Sequence, residues 1–285
     1  MQSLRNIKNR IRVIGNTHKI TDAMERISVT KLKRVENTLF TIRPYVSQLN
    51  SLFHDLTGNT KLINSPFFEE KPGNGRIGLC VITSDSGLCG LYNSNIIRLA
   101  DEFIQKQGKE KIKLVLVGKK GFAYFKNRGI EILKTYTDLH GKYQKTISDE
   151  ICDYLSAIFL SGQVHEVYTA YTHYQTALIL KPVLKKFLNI DRNYNEKTAI
   201  EFILEPDAQR IQDGLIPEYI SMNFRLILLE AFTSEHSART VSMKMATDNA
   251  EELLKMLVLF RNKVRQANIT QEMMEIIASS EALKG

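Results

Sequence analysis

The chain has no tryptophan and only three cysteines, Cys80, Cys89 and Cys152, none of them in a CxxC pair. That usage suits a reducing compartment. Six histidines are present, but none has metal-ligand spacing, so no zinc site is expected. No run of about 18 apolar residues occurs anywhere, which excludes an ordinary membrane-spanning helix. Low-complexity segments are absent as well. Acid is missing from the first 21 residues, which are amphipathic and basic in the manner of a mitochondrial presequence. A regular apolar stripe starts inside that segment and runs on far beyond it. Cleavage would remove part of a structural seam, so the N-terminus is expected to be the mature one.

That stripe is the most informative positive feature. Ile7, Ile11, Ile14, His18, Thr21, Glu25, Ser28, Leu32, Val35, Leu39, Ile42, Val46, Leu49, Phe53 and Leu56 follow one another at steps of four and three, and eleven of the fifteen are apolar. A 3.5-residue repeat keeps one face of a helix against a partner and imposes a left-handed supercoil. Such a helix is about 75 Å long. A second stripe closes the chain: Leu229, Phe232, His236, Arg239, Met243, Ala246, Ala250, Leu253, Leu257, Phe260, Val264, Ala267, Gln271, Met274 and Ala278. Here twelve of fifteen are apolar, and four are alanines that let helix axes approach closely. The two ends are therefore expected to form an antiparallel coiled coil. Pro44 interrupts the first stripe and is expected to bend that helix without ending it.

Glu25 is the only acid in the first seam and Arg239 the only base in the second. Burying either without a partner is costly. The preferred register therefore joins Glu25 to Arg239, pairing positions whose numbers sum to 264. In that register the C-terminal helix overhangs from Phe260 to at least Ala278, about 30 Å.

The charge of +8 is unevenly placed. Residues 1–34 hold nine basic and two acidic side chains, or +7, on one end of one helix. Clustered charge points to a partner with acidic surface. Nucleic acid is disfavoured, because no zinc-finger, RNA-recognition or helix-turn-helix pattern accompanies the charge.

Between the helices, 59–75 reads as a linker, with Asn64-Ser65-Pro66 and Lys71-Pro72-Gly73-Asn74-Gly75. Strands are predicted at 77–83, 113–117, 130–135 and 166–172, with further ones at 177–180 and 199–204. Helices are predicted at 93–107, 119–127 and 147–160. Strands alternating with helices give an α/β domain with a largely parallel sheet. The turn Ser84-Asp85-Ser86-Gly87-Leu88-Cys89-Gly90 joins a strand to a helix, the layout of a phosphate-binding turn. It is neither GxGxxG nor GxxxxGK[ST], and a tight turn explains its glycines equally well. Nothing nearby in sequence would activate Cys89, and Asp85 has no carboxylate partner for acid–base work.

Five stretches resemble a known family in order along the chain. Asn16-Thr17-His18-Lys19-Ile20-Thr21-Asp22-Ala23-Met24 is similar to the NTxKITxAM segment of the γ subunits of F-type ATP synthases. Thr83-Ser84-Asp85-Ser86-Gly87-Leu88-Cys89-Gly90 is similar to their TSDRGLCG turn. Ala246-Thr247-Asp248-Asn249-Ala250, Asn262-Lys263-Val264-Arg265-Gln266-Ala267 and Ile269-Thr270-Gln271-Glu272 are similar to ATDNA, NKARQA and ITQE. Ser86 stands where the family has arginine, and Ser279-Ser280 where it has Gly-Ala.

The resemblance implies a fold class of α/β with a long antiparallel coiled coil of both terminal helices and a Rossmann-like globular domain. It implies a shaft of 1–58 and 207–285 and a foot of 76–206. It further implies a non-catalytic rotor without cofactor, turned by the c-ring and driving the β subunits through their binding states. The implied partners are the α and β subunits, the ε subunit and the c-ring, with the membrane reached only through the ring. The implied location is the cytoplasmic face of a bacterial inner membrane. Arg265, Gln266 and Met24 fall at β-subunit contact positions, and Glu205 in the foot segment near the c-ring. The contrasting reading from residues alone is a nucleotide-binding α/β enzyme with a coiled-coil dimerisation arm.

Overall fold

The computed structural model describes residues 4–59, 65–68, 75–190 and 208–282. Two long helices open and close the chain: α1 (Leu4–Asn59) and α5 (Ala208–Ala282). Helix α1 continues through Pro44, and α5 through Pro217. Between them lie β1 (Ile77–Ile82), α2 (Tyr92–Gln107), β2 (Ile112–Val117), α3 (Lys119–Phe125), β3 (Glu131–Tyr136), α4 (Lys145–Leu160), β4 (Glu166–Tyr174) and β5 (Leu180–Leu188). The linker expected at 59–75 and the strand expected at 199–204 fall mostly or wholly outside the described residues.

The chain divides into two compact units, Met1–Ile27 with Thr240–Gly285, and Ser28–Arg239. The resemblance implied boundaries near 58 and 207. The larger unit reaches further because the inner stretches of both helices bury their stripes in the core of the α/β domain. Val35, Leu39 and Phe53 of α1 and Ile220, Phe224 and Phe232 of α5 share one cluster with Cys80, Val115 and Phe159.

In the larger unit the strand order is β3-β2-β1-β4-β5. The first four strands are parallel, and β5 runs antiparallel to β4. Strands β1 and β2 are buried along their whole length. This is why they read as apolar runs, broken in β2 only by Lys113, which pairs with Glu131: helices cover both faces of a parallel sheet. On one face Cys80, Ile82, Val115 and Val117 meet α1, α4 and α5. On the other, Leu79, Val81, Leu114 and Leu116 meet Ile96, Ala100 and Ile104 of α2 and Phe125 of α3.

The segment 177–180, expected as a strand, is mostly the β4–β5 turn: Ile179 N–H donates to Thr176 O at 3.2 Å, and Leu178 is exposed. The strand itself is β5. Its Pro182 and its lysines 181, 185 and 186 concealed it, yet these are the residues an edge strand tolerates.

In the smaller unit the first seam holds. Ile7 and Thr21 are buried, and Ile11, Ile14, His18 and Glu25 are half-buried. The second seam keeps its spacing but changes phase. Met243, Thr247 and Ala250 are buried, and Leu254, Leu257, Arg261 and Val264 are half-buried, whereas Leu253 and Phe260 are exposed. Steps of four and three can alternate in either order, and the sequence satisfies both. Thr247 Oγ1 donates to Thr21 Oγ1 at 2.9 Å, so paired numbers sum to 268. That level sets Leu254 and Leu257 opposite Ile14 and Ile11. It differs from the expected 264 by about 6 Å of slide. From Arg265 to Ala282 every residue of α5 is exposed.

Candidate functional site

The turn after β1 sits at the carboxyl end of the sheet, where β1 has β2 on one side and β4 on the other. Doubly wound sheets take their ligands at such a switch point. Local bonds fix the turn. Thr83 Oγ1 donates to Val117 O at 2.9 Å and accepts from Gly121 N–H at 2.9 Å. Ser84 N–H donates to Asn93 Oδ1 at 2.9 Å. Asp85 proves to be a staple: its carboxylate accepts from the N–H groups of Lys119 and Asp138, each at 3.1 Å, and of His140 at 2.7 Å.

The crevice is filled from α5. Arg239 Nε donates to Gly87 O at 3.3 Å, and Nη2 donates to Ser86 O at 3.2 Å and to Glu235 Oε1 at 2.8 Å. Its Nη1 donates to His236 Nδ1 at 3.3 Å, while His236 Nε2 donates to Gly141 O at 2.9 Å. His236 is therefore the neutral Nε2–H tautomer, and burial holds its pKa down to about 4. Burial raises the Glu235 carboxyl, opposed by Arg239. Burial also raises the Cys89 thiol, and this outweighs Arg239 and Ser84, which pull the other way. Cys89 is thus no activated nucleophile.

This cluster also decides the fate of Arg239, which was expected to pair with Glu25. Its carboxylate partner is Glu235, one helical turn away and 1% exposed. The rule that a buried charge needs a partner is obeyed, but by a residue flanking the stripe. Glu25 is half-buried in the smaller unit and lies in the field of Lys244. A second buried carboxylate, Glu230, binds Arg43 Nη2 at 2.9 Å and His173 Nδ1 at 2.7 Å, tying α5 to α1 and β4. Sequence reading missed Glu230, Glu235, Arg43 and His173. Its available signal was the polar run 233–239 after 226–232, with Glu235 and Arg239 at the i,i+4 spacing of a helical ion pair.

Titration of His236 has a sign that can be worked out. Its folded pKa lies below the unfolded 6.5, so between about 6.5 and 4 the unfolded chain binds a proton that the folded chain refuses. The stabilisation is complete above pH 6.5 and is lost as pH falls towards 4. The loss amounts to about 3 kcal/mol. In urea titrations from pH 7 to 4, His236→Gln should remove that part of the pH slope. Parallel curves for both chains would contradict it.

Of the other expected positions, Met24, Arg265 and Gln266 belong to the smaller unit. Met24 is half-buried, and Arg265 and Gln266 are exposed on α5. Met24 lies level with Lys244, and Arg265 is 21 positions further along α5, about 30 Å. Met24 and Arg265 thus form two patches. Glu205 lies outside the described residues.

The sequence model of the ATP synthase family matches residues 3–283. The ATP synthase gamma chain of Protochlamydia amoebophila is 35% identical over 286 residues, with both chains covered completely. That of Anaeromyxobacter sp. strain K is 36% identical over 291 residues, also with full coverage of both. Among solved structures, a chain of the Euglena gracilis mitochondrial ATP synthase (OSCP/F1/c-ring) aligns with a TM-score of 0.67 at 16% identity, covering 98% of this chain and 94% of its own. A chain from the central stalk and c-ring of the Tetrahymena thermophila mitochondrial enzyme aligns with a TM-score of 0.60 at 19% identity, covering 80% of this chain and 99% of its own.

Proposed function

The chain belongs to the ATP synthase gamma chain family, and on that premise we propose that it is the central-stalk rotor subunit of an F-type ATP synthase. In this reading the c-ring turns the chain, and the chain's contacts favour a different conformation of each catalytic β subunit at each angle. Its partners are the α and β subunits, the ε subunit and the c-ring. It works at the cytoplasmic face of a bacterial inner membrane, attached through the ring; no helix among the described residues is long and apolar enough to cross a membrane. The observation that carries the proposal is the match to gamma chains over the full length of both chains.

Two structural features support it. Beyond the paired seam, α5 exposes Met273, Met274, Ile276 and Ile277 on a solitary helix. Exposed apolar side chains clustered this closely mark a surface that a partner covers. The switch-point crevice, where a nucleotide-binding enzyme would hold its ligand, is occupied by Arg239. That weighs against the enzyme reading and for a subunit that catalyses nothing itself.

Arg265 and Gln266 on the exposed helix, Met24 on α1 and Glu205 in the foot are proposed as the contact positions. A guanidinium can hold a carboxylate with two parallel bonds, which lysine cannot. Native mass spectrometry of the assembled soluble complex should find one copy of this chain per three β subunits. In the same preparation, Arg265→Ala should lower ATP turnover about tenfold, the effect of losing roughly 1.4 kcal/mol of coupling. The isolated variant should melt like the parent, since Arg265 is exposed. Equal numbers of this chain and β would end the rotor reading; unchanged turnover would remove Arg265 from it.

A further inference from the structure

The loop after β3 and one face of α1 enclose a cavity of about 470 Å³ in the larger unit. Its lining includes Lys31, Arg34, Asp138, His140, Lys142 and Tyr143. The volume falls in the range of small-ligand sites. The cavity opens at the carboxyl end of the sheet, the side on which such folds bind ligands.

The charge around it is unbalanced. Asp138 is the only acid in the lining, and its carboxylate is already held by Lys119 at 2.5 Å. Asp85, next to it, accepts from three backbone N–H groups. Glu235, behind the loop, is paired with Arg239. Lys31, Arg34 and Lys142 have no carboxylate within 4 Å among the described residues. Three cations without a close carboxylate therefore face one concave space, with Lys31 also in the field of Glu235, and low-dielectric walls focus their field.

The rim is held in one shape. Asp138, His140 and Gly141 all have left-handed backbones, at φ of 65°, 50° and 63°. Asp85 fixes the N–H groups of Asp138 and His140, and His236 fixes the carbonyl of Gly141. A site that does not reorganise loses less affinity on binding.

We infer that the cavity between the loop 138–144 and the α1 face at 31–38 binds a small multivalent anion carrying phosphate groups. Free pyrophosphate and the phosphate chain of a nucleotide share this chemistry. Lys31, Arg34 and Lys142 hold the phosphate oxygens, and the Gln144 amide offers a further donor. The site is separate from the crevice that Arg239 fills, and it requires no hydrolysis.

The test uses the purified full chain without other subunits, so its outcome is independent of the rotor assignment. Isothermal titration with pyrophosphate and with ATP is run at ionic strength matched with potassium chloride, which screens non-specific attraction. The triple variant K31Q/R34Q/K142Q is run in parallel. All three side chains are exposed, so the variant should fold, and its melting temperature without ligand checks this. Saturable binding of pyrophosphate, weakened at least tenfold in the triple variant, is the expected result. Equal affinity for ATP assigns recognition to the phosphates alone; tighter ATP binding adds the nucleoside, and both support the site. No saturable binding of either compound, or equal binding by the folded triple variant, overturns it.

Discussion

Arg239→Met should destabilise the isolated chain by about 3–5 kcal/mol at pH 7.5, the cost of leaving one member of a buried ion pair alone. Methionine fills much of the same volume, so a packing void contributes little. What remains is Glu235, 1% exposed, with Oε1 deprived of its guanidinium partner and Oε2 already without a hydrogen bond. The carbonyls of Ser86 and Gly87 lose their donor as well. Adding Glu235→Gln to that variant should recover a large share of the loss, because a neutral amide is less costly to bury than an unpaired carboxylate. The difference between parent and Arg239→Met should narrow as pH falls, since protonation removes the stranded charge. Urea midpoints across that range measure all three effects. A loss under about 1 kcal/mol would show that Arg239 does not hold the cluster together.

Gly118→Ala should cost more than about 4 kcal/mol, enough to deplete soluble protein. Gly118 lies at φ 92° and ψ 144°, a region that is essentially glycine-only. A Cβ there would stand 2.2 Å from Thr83 O and 2.7 Å from Thr83 C. Both are backbone atoms at the end of β1, locked by the parallel pairing of β1 with β2 and by the bond from Thr83 N–H to Val117 O at 2.8 Å. Neither strand can retreat, because both are buried throughout. Gly129 is the control: its φ is 69°, but a Cβ there meets nothing within 4 Å. Gly129→Ala should cost only about 1–2 kcal/mol of backbone strain. Thermal melts of the two variants separate the effects. Equal losses would mean that β1 or the turn after it moves to relieve the close approach at Gly118.

The candidate site was legible only in part. The turn 83–90 was visible as a strand-to-helix junction, and its motif pointed to the family. Its ligand-like crevice, however, is closed by Arg239, which sits about 150 positions further along the chain. No local pattern announces a contact at that separation. The seam rule treated His236 and Arg239 as blemishes in an apolar stripe. They are members of a polar cluster because, at that height, α5 meets the loops at the carboxyl end of the sheet.

The chain's periodicities determined its elements. Steps of four and three put fifteen α1 side chains on one face, and each is buried or half-buried. Apolar runs made β1 and β2 interior strands, since only a sheet covered on both faces buries every residue. These outcomes follow from the backbone's own repeat, which is set residue by residue. Tertiary structure decided the rest: the register at 268, the phase of the α5 seam, the antiparallel β5, the partners of Arg239 and the cavity beside Lys31. Each of these is a choice among pairings that the local pattern satisfies equally. It is settled by hydrogen bonds, charge pairing and packing between surfaces that meet only when the whole chain has folded.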